Sequence, residues 1–362
     1  MRQHHAQELE PAAARVASKY MSLARRHLGL QGGRSSVSGI TATVFGATGF
    51  LGRYVVNRLG KTGTRVVVPF RGDEKDVRHL KVMGDLGVVN FVETSIRSLE
   101  QIEAAVADAD VVVNLLGKHY ETLRWRFADV HTSFPAVLAE VCAAQGVERL
   151  VHVSALGAAA DSPSEWARTK AMGEQALHEA FPAATIVRPA SMFGDEDRFL
   201  NRIALMGGSF PFIPMVDGGA SKQQPLYVDD AAAAIVECVA NPECAGQTYT
   251  LAGPRAYTNK ELTQYVHKTI AEPYAGVDVP AGVGMALAFG VQQLPDPWLT
   301  CDALRRESVD LVMPDGAPGL AALGVAAPVA IEDVAERYLM RFKKNVSHFV
   351  DEEEQKVVRA PN

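Results

Sequence analysis

The sequence predicts an α/β chain, a doubly wound parallel sheet followed by a smaller C-terminal α+β lobe. Three observations carry this. From Ile40 to Pro189, short segments that are apolar throughout alternate with amphipathic helical segments, as strands do when helices cover both faces of their sheet. A glycine turn, "VFGATGFLG", joins the first strand to the first helix. Beyond Pro189 the alternation loosens, and proline and glycine become frequent.

Taken in order, "ITATVFGA" is a β-rich run entering the glycine turn, and "FLGRYVVNRLGKTG" has helical spacing that stops at Gly63. "TRVVVPF" is a second buried strand, "VVNFVE" a third, and "SLEQIEAAVADA" a helix. "DVVVNLLG" is the fourth strand, followed by a helix through "PAVLAEVCAAQG". "ERLVHVSA" is the fifth, "SPSEWARTKAMGEQAL" a helix, and "ATIVRPA" the sixth. In the second lobe, "DRFLNRIALMGG", "YVDDAAAAIVECVA", "NKELTQYVHKTIA" and "IEDVAERYLMRF" read as helices, with short strands at "QPLYV" and "TYTLAG". The expected division is an arm over 1–39, a nucleotide-binding domain over 40–190, the smaller lobe over 191–345 and an acidic tail over 346–362.

Composition removes several function classes. The net charge of −6, from 36 basic and 42 acidic residues, gives no general affinity for nucleic acid. Cys142, Cys238, Cys244 and Cys301 contain no C-x-x-C pair and read as small buried hydrophobes. The ten histidines show no H-E-x-x-H clustering, so no metal site is expected. No run of eighteen uncharged apolar residues exists, so no transmembrane span is expected. The nearest approach, "PAGVGMALAFGVQQLP", reads as a buried helix in preference to a docking face. The first forty residues carry Arg2, Arg15, Lys19, Arg25, Arg26 and Arg34 before a Gly/Ser hinge, which suits an organelle transit peptide, although Glu8 and Glu10 argue against it. Transit peptide and mature arm both stay open.

The glycine turn is the strongest chemical signal. Gly46, Gly49 and Gly52 stand at three-residue spacing after a strand and opening a helix. The first permits the tight turn, the second lets backbone approach a pyrophosphate, and the third lets helix pack on strand. The helix start, at Phe50 and Leu51, supplies free N–H groups to phosphates, and Thr48 adds a hydroxyl. Arg71 comes first after the second strand, where its planar fork suits the 2′-phosphate of NADP(H); Asp73 could instead turn toward the ribose of NAD. Ser95 and Ile96 end the third strand on the adenine side. Asn114, Leu115 and Gly117 end the fourth beside the adenosine ribose, and Pro189 ends the sixth.

With the glycine loop, "NLLG", "VHVSALG" and the Lys170 helix in this order, the chain resembles the short-chain dehydrogenase/reductase superfamily, in its atypical or extended Rossmann branch. The strings "HLKVMGDLGVV", "VVVNLLGKHYET", "RPASMFGDEDRFLNRIA" and "QPLYVDDAAAAI" take the resemblance further, to the nucleotide-binding accessory subunits of mitochondrial respiratory complex I. It covers residues 35 to 270 well and the C-terminal ninety weakly. The resemblance implies bound NADPH, a peripheral place on the matrix side of the inner membrane among other complex I subunits, and a supporting role without turnover. Ser95 departs from the acidic residue common after the third strand in the superfamily, which puts the adenine contact in doubt.

The second departure concerns chemistry. Carbonyl reduction in this superfamily needs a phenol to hand over a proton, and a lysine four residues on, one helical turn away, to lower the phenol's pKa and hold the nicotinamide ribose. Lys170 is present, and Ser154 is a candidate for the orienting serine, with Ala155 as the other occupant of that slot. The tyrosine position holds Trp166, whose indole N–H donates a hydrogen bond but cannot lose its proton near neutral pH. None of the nine tyrosines precedes a lysine by four positions. Tyr120 and Tyr227 are loop candidates with no spacing to support them. No catalytic residue is therefore assigned. Two alternatives stay open: a stand-alone NADPH-dependent reductase or epimerase with another proton donor, and an NADP sensor working through protein partners.

Overall fold

The computed structural model describes residues 38–343, apart from 86, 210–212, 275, 295–296 and 298. The acidic tail and the arm up to residue 37 lie outside the described residues. Seven strands make one sheet with every pairing parallel: β1 (Thr41–Phe45), β2 (Arg65–Phe70), β3 (Val89–Glu93), β4 (Val111–Asn114), β5 (Arg149–Val153), β6 (Thr185–Pro189) and β7 (Thr248–Leu251). Their order is 3-2-1-4-5-6-7. The chain reverses direction across the sheet between β1 and β4, where Val44 lies opposite Val113 and Phe45 opposite Asn114. In sheets of this order, ligands bind in the crevice at that point, beyond the carboxyl ends of the strands.

The helices are α1 (Phe50–Lys61), α2 (Leu99–Val106), α3 (Phe134–Gln145), α4 (Glu165–Ala180), α5 (Leu200–Ser209), α6 (Val228–Ala240), α7 (Asn259–Thr269), α8 (Ala281–Val291), α9 (Cys301–Glu307) and α10 (Ile331–Leu339). Strand side chains alternate between faces, and β4 shows the result. Val111 and Val113 join Val55 and Leu59 of α1 and Ile235 of α6 in one core, while Val112 joins Ile102, Leu138 and Leu177 in the other. Both faces are apolar because both are covered. A third core, with Phe193, Leu200, Val266, Ile331 and Leu339, holds α5, α7 and α10 together.

Two expectations change. The segment expected as a short strand of the second lobe is β7, which pairs with β6 with Tyr249 opposite Val187. The chain returns along α6 and covers the edge β6 would otherwise leave unpaired. The apolar segment expected to be buried is α8, and it is largely exposed. Gly284 and Ala288 face the protein, whereas Val283, Leu287 and Phe289 are 53%, 54% and 62% exposed. A helix apolar all round gives no sign of which side is covered, and here the small residues take the inner side.

The string "GDEDRFLN" owes its character to Asp197. This buried carboxylate accepts backbone N–H bonds from Gly194 (3.1 Å), Phe199 (2.9 Å) and Asn201 (3.0 Å), and the Tyr338 hydroxyl from α10 at 2.9 Å. It therefore caps the approach to α5 and ties α10 to it. Asp197→Ala strands all four donors and is expected to lower stability in urea unfolding by about 3 kcal/mol or more, against about 1 kcal/mol for Tyr338→Phe.

Candidate functional site

The glycine loop sits at the crevice as its spacing requires. Gly46 has φ +81°, and a Cβ there would stand 3.0 Å from the Leu115 carbonyl carbon at the end of β4. A Cβ on Gly52 would lie 2.4 Å from the Gly46 carbonyl oxygen, so only hydrogen lets α1 start this close to β1. Gly49 N–H closes the turn onto Gly46 O at 3.0 Å. Gly49 is also the N-cap of α1, no side chain caps the helix, and its first turn has no acidic residue. The N–H groups at Phe50, Leu51 and Gly52 thus face the crevice end without a side-chain acceptor, the arrangement that binds phosphate. Thr48 and Gly49 are exposed there.

The strand ends meet this loop to different degrees. Arg71 follows β2 and is exposed, with its guanidinium carbon 5.3 Å from the centroid of the Trp125 ring. The acidic residues after it are engaged elsewhere. Asp73 accepts Lys75 N–H at 2.9 Å and lies 3.4 Å from Lys75 Nζ, and Glu74 pairs with Lys81 at 3.0 Å. Ile96 lines a small cavity with Arg97, Trp125, Ser133 and Phe134 beyond β3 and β4. Ser95 braces that turn, its N–H donating to Gln101 Oε1 at 2.7 Å. Asn114 lies beneath the crevice, fully buried: its Oδ1 accepts Leu116 N–H at 3.1 Å and its Nδ2 donates to His152 Nδ1 at 3.1 Å. Pro189 is buried, its carbonyl accepting Leu156 N–H at 2.8 Å. Ser154 is buried at the end of β5, and among the described residues its Oγ has no hydrogen-bond partner.

Helix α4 brings Lys170 to the same place. Its Nζ donates to Val153 O at 3.1 Å and sits 3.5 Å from where a Gly117 Cβ would be, so the ammonium and the bare end of β4 face each other. Burial lowers the Lys170 pKa to about 8, with Glu174 acting in the opposite sense. Trp166, one turn earlier, is pinned. Its Nε1–H donates to Lys118 O at 2.7 Å, its ring meets the His131 ring edge-on at 6.0 Å, and the Arg306 guanidinium lies 4.6 Å over it. The start of α4 is fixed by α9, where Asp302 accepts the Ser164 hydroxyl at 2.8 Å and Glu165 N–H at 2.6 Å. Of the two tyrosines expected in loops, Tyr120 carries the Lys118 ammonium over its ring, and Tyr227 ends a short strand, Leu226–Tyr227, and packs on Phe193.

Sequence reasoning did not single out His119, His131, Arg306, Arg97 or Trp125. His131 lies in a π-helical turn, Asp129–Ser133, before α3, a rare element found mostly at functional sites. His119 is exposed; the protein packed around its ring, and then Arg306, Arg198, Lys170 and Arg202, bring its pKa down to about 4. This end of the crevice is strongly cationic. Among the described residues no cluster of histidine, cysteine and carboxylates could hold a metal, and no helix is long and apolar enough to cross a membrane.

Residues 42–252 match the NAD dependent epimerase/dehydratase family. A mouse protein named NADH dehydrogenase [ubiquinone] 1 alpha subcomplex subunit 9, mitochondrial, is 42% identical over 300 residues, 82% of this chain and 78% of its own. The chain belongs to the complex I alpha subcomplex subunit 9 family. The Neurospora crassa NADH-ubiquinone oxidoreductase 40 kDa subunit, also mitochondrial, is 41% identical over 87% of this chain and 83% of its own. In fold, this member of the subunit 9 family is similar to a dTDP-glucose 4,6-dehydratase from Streptomyces venezuelae solved with NAD, with a TM-score of 0.64 at 18% identity over 84% of this chain and 98% of that one. The subunit 9 family thus carries an NAD(P)-binding fold. In this member the cradle, Lys170 and Ser154 come together around the switch point, while the phenol position holds an indole whose N–H is already bonded.

Proposed function

We propose that this protein is a non-catalytic, NADPH-binding accessory subunit of mitochondrial NADH:ubiquinone oxidoreductase (complex I), peripheral on the matrix side of the inner membrane, that supports assembly and stability of the complex. One observation carries the reading: a phosphate cradle stands beside a Trp166 whose indole N–H is committed to Lys118 O. The residues present fit the cofactor, since the glycines leave the space a pyrophosphate needs and Ser154 Oγ is a buried polar atom without a partner among the described residues. NADPH, when bound, supplies reducing power at its nicotinamide. The chain holds the pyrophosphate on the start of α1 and offers Lys170 to the nicotinamide ribose hydroxyls. With Trp166 in place, no phenol stands one turn before Lys170 to hand over a proton. NADPH is favoured over NADH because Arg71 heads its loop while Asp73 and Glu74 are taken by Lys75 and Lys81.

Placement in the complex is supported by the names of the relatives, which are subunits of that enzyme. The apolar side of α8, with Val283, Leu287 and Phe289 outward, suits a chain packed in an assembly. The test is the nucleotide content of the native complex and of the purified chain. NADPH is expected to be retained, with no oxidation by carbonyl substrates. Steady-state NADPH oxidation that falls on Lys170→Ala would defeat the non-catalytic reading, and complex lacking the nucleotide would defeat the cofactor.

A further inference from the structure

Three loops that leave different strands meet at Trp125. Arg71, after β2, has its guanidinium carbon 5.3 Å from the indole centroid, and Arg97, after β3, has its own at 4.0 Å. Trp125 belongs to the loop after β4 and is held by a tight turn. Thr122 N–H donates to Trp125 O at 2.9 Å, Trp125 N–H returns to Thr122 O at 3.1 Å, and Phe127 N–H donates to Glu121 Oε1 at 2.8 Å. Arg97 is tethered to that turn as well, Nη2 donating to Arg124 O. Among the described residues, neither Arg71 nor Arg97 has an ion pair with a carboxylate. Asp129, in the cavity wall beside Arg97, accepts Arg126 N–H at 2.9 Å.

A guanidinium stacked on an indole uses its face and keeps the N–H groups of its edge. Two such groups on one ring therefore present a double fork that no carboxylate among the described residues pairs with. Their position gives the anion. They lie in the loops beyond the ends of β2 and β3, with Trp125 in the loop after β4, on the adenosine side of the crevice. In this sheet order a 2′-phosphate projects there. We infer that Arg97 and Trp125 are specificity residues of the cofactor site: Trp125 is the platform that aligns Arg97 with Arg71, and both arginines grip the 2′-phosphate. This rests on the NADPH reading and extends it to residues outside the glycine loop and the β2 end.

The experiment titrates the full chain with NADPH, NADH and adenosine 2′,5′-bisphosphate, by calorimetry and tryptophan fluorescence. Arg97→Leu is expected to weaken NADPH and the bisphosphate about tenfold or more, the scale of one charge-assisted hydrogen bond, and to leave NADH within about threefold. Trp125→Ala is expected to do the same by releasing both guanidiniums. Arg71→Leu combined with Arg97→Leu should bind NADPH no better than NADH. Equal weakening of NADPH and NADH by Arg97→Leu would overturn the inference, since Arg97 would then only shape the loop. Unchanged NADPH affinity would overturn it too. A wild-type chain that binds neither dinucleotide would instead remove the cofactor reading beneath it. Circular dichroism of each variant separates lost contacts from a lost fold.

Discussion

Gly49→Ala is expected to leave the fold intact and weaken dinucleotide binding by at least about tenfold, whereas Gly52→Ala should lose both binding and stability. The difference is geometric. Gly49 has φ −70° and ψ 171°, which alanine adopts without strain, and its added Cβ would meet only Gly46 O, at 3.2 Å. The methyl group would project where the pyrophosphate must approach the start of α1. At Gly52 the new Cβ would lie 2.4 Å from Gly46 O and 2.6 Å from Ala47 Cα, both backbone atoms. Neither can move unless the loop opens, so α1 would be pushed off β1 at a cost of about 1–3 kcal/mol or more. Urea unfolding and NADPH titration on the two variants separate these effects. A Gly49→Ala protein that binds as wild type does would show that no phosphate approaches this turn.

What was legible in the sequence was local. The three glycines are spaced by the turn they build, and Trp166 and Lys170 are four residues apart, so both site halves could be read from short strings. The strands of the first half were legible because burial on both faces leaves no alternation to misread. What was hidden depends on contacts between distant segments. Trp125 gains meaning only when the ends of β2, β3 and β4 lie side by side. Asp302 caps α4 from α9. β7 joins the sheet because the β6 edge stands open to it, a fact of topology. The exposure of α8 is hidden in a composition apolar on every side, and only packing selects Gly284 and Ala288 as the inner row.

The other large expected effect is loss of stability in acid, carried by two histidines held neutral beneath the crevice. His131 accepts Lys118 N–H at Nε2 (3.1 Å), so its proton is on Nδ1, facing Thr169 Oγ1 at 3.1 Å. His152 accepts the Asn114 amide at Nδ1 (3.1 Å), and the Asn114 orientation is fixed by Leu116 N–H. A second proton on either ring would point a donor at a donor. Burial, and then the Lys170 charge, bring the pKa down to about 2 for His131 and about 3 for His152. The unfolded chain protonates both near the ordinary value of about 6.5. The stabilisation is therefore fully present above that pH and is lost as pH falls below it, because the unfolded state then binds more protons. Each ring contributes up to about 1.4 kcal/mol per pH unit, so by pH 4.5 the pair removes on the order of 5 kcal/mol. That is a large share of the stability of a typical domain, about 5–15 kcal/mol. Denaturant unfolding at intervals from pH 7.5 to 4.5 should show the fall, and His131→Gln with His152→Gln should flatten it at the price of a lower plateau near neutrality. An equally steep curve in the double variant would place the acid sensitivity in His119 or the carboxylates, and the protonation argument for these two rings would fail.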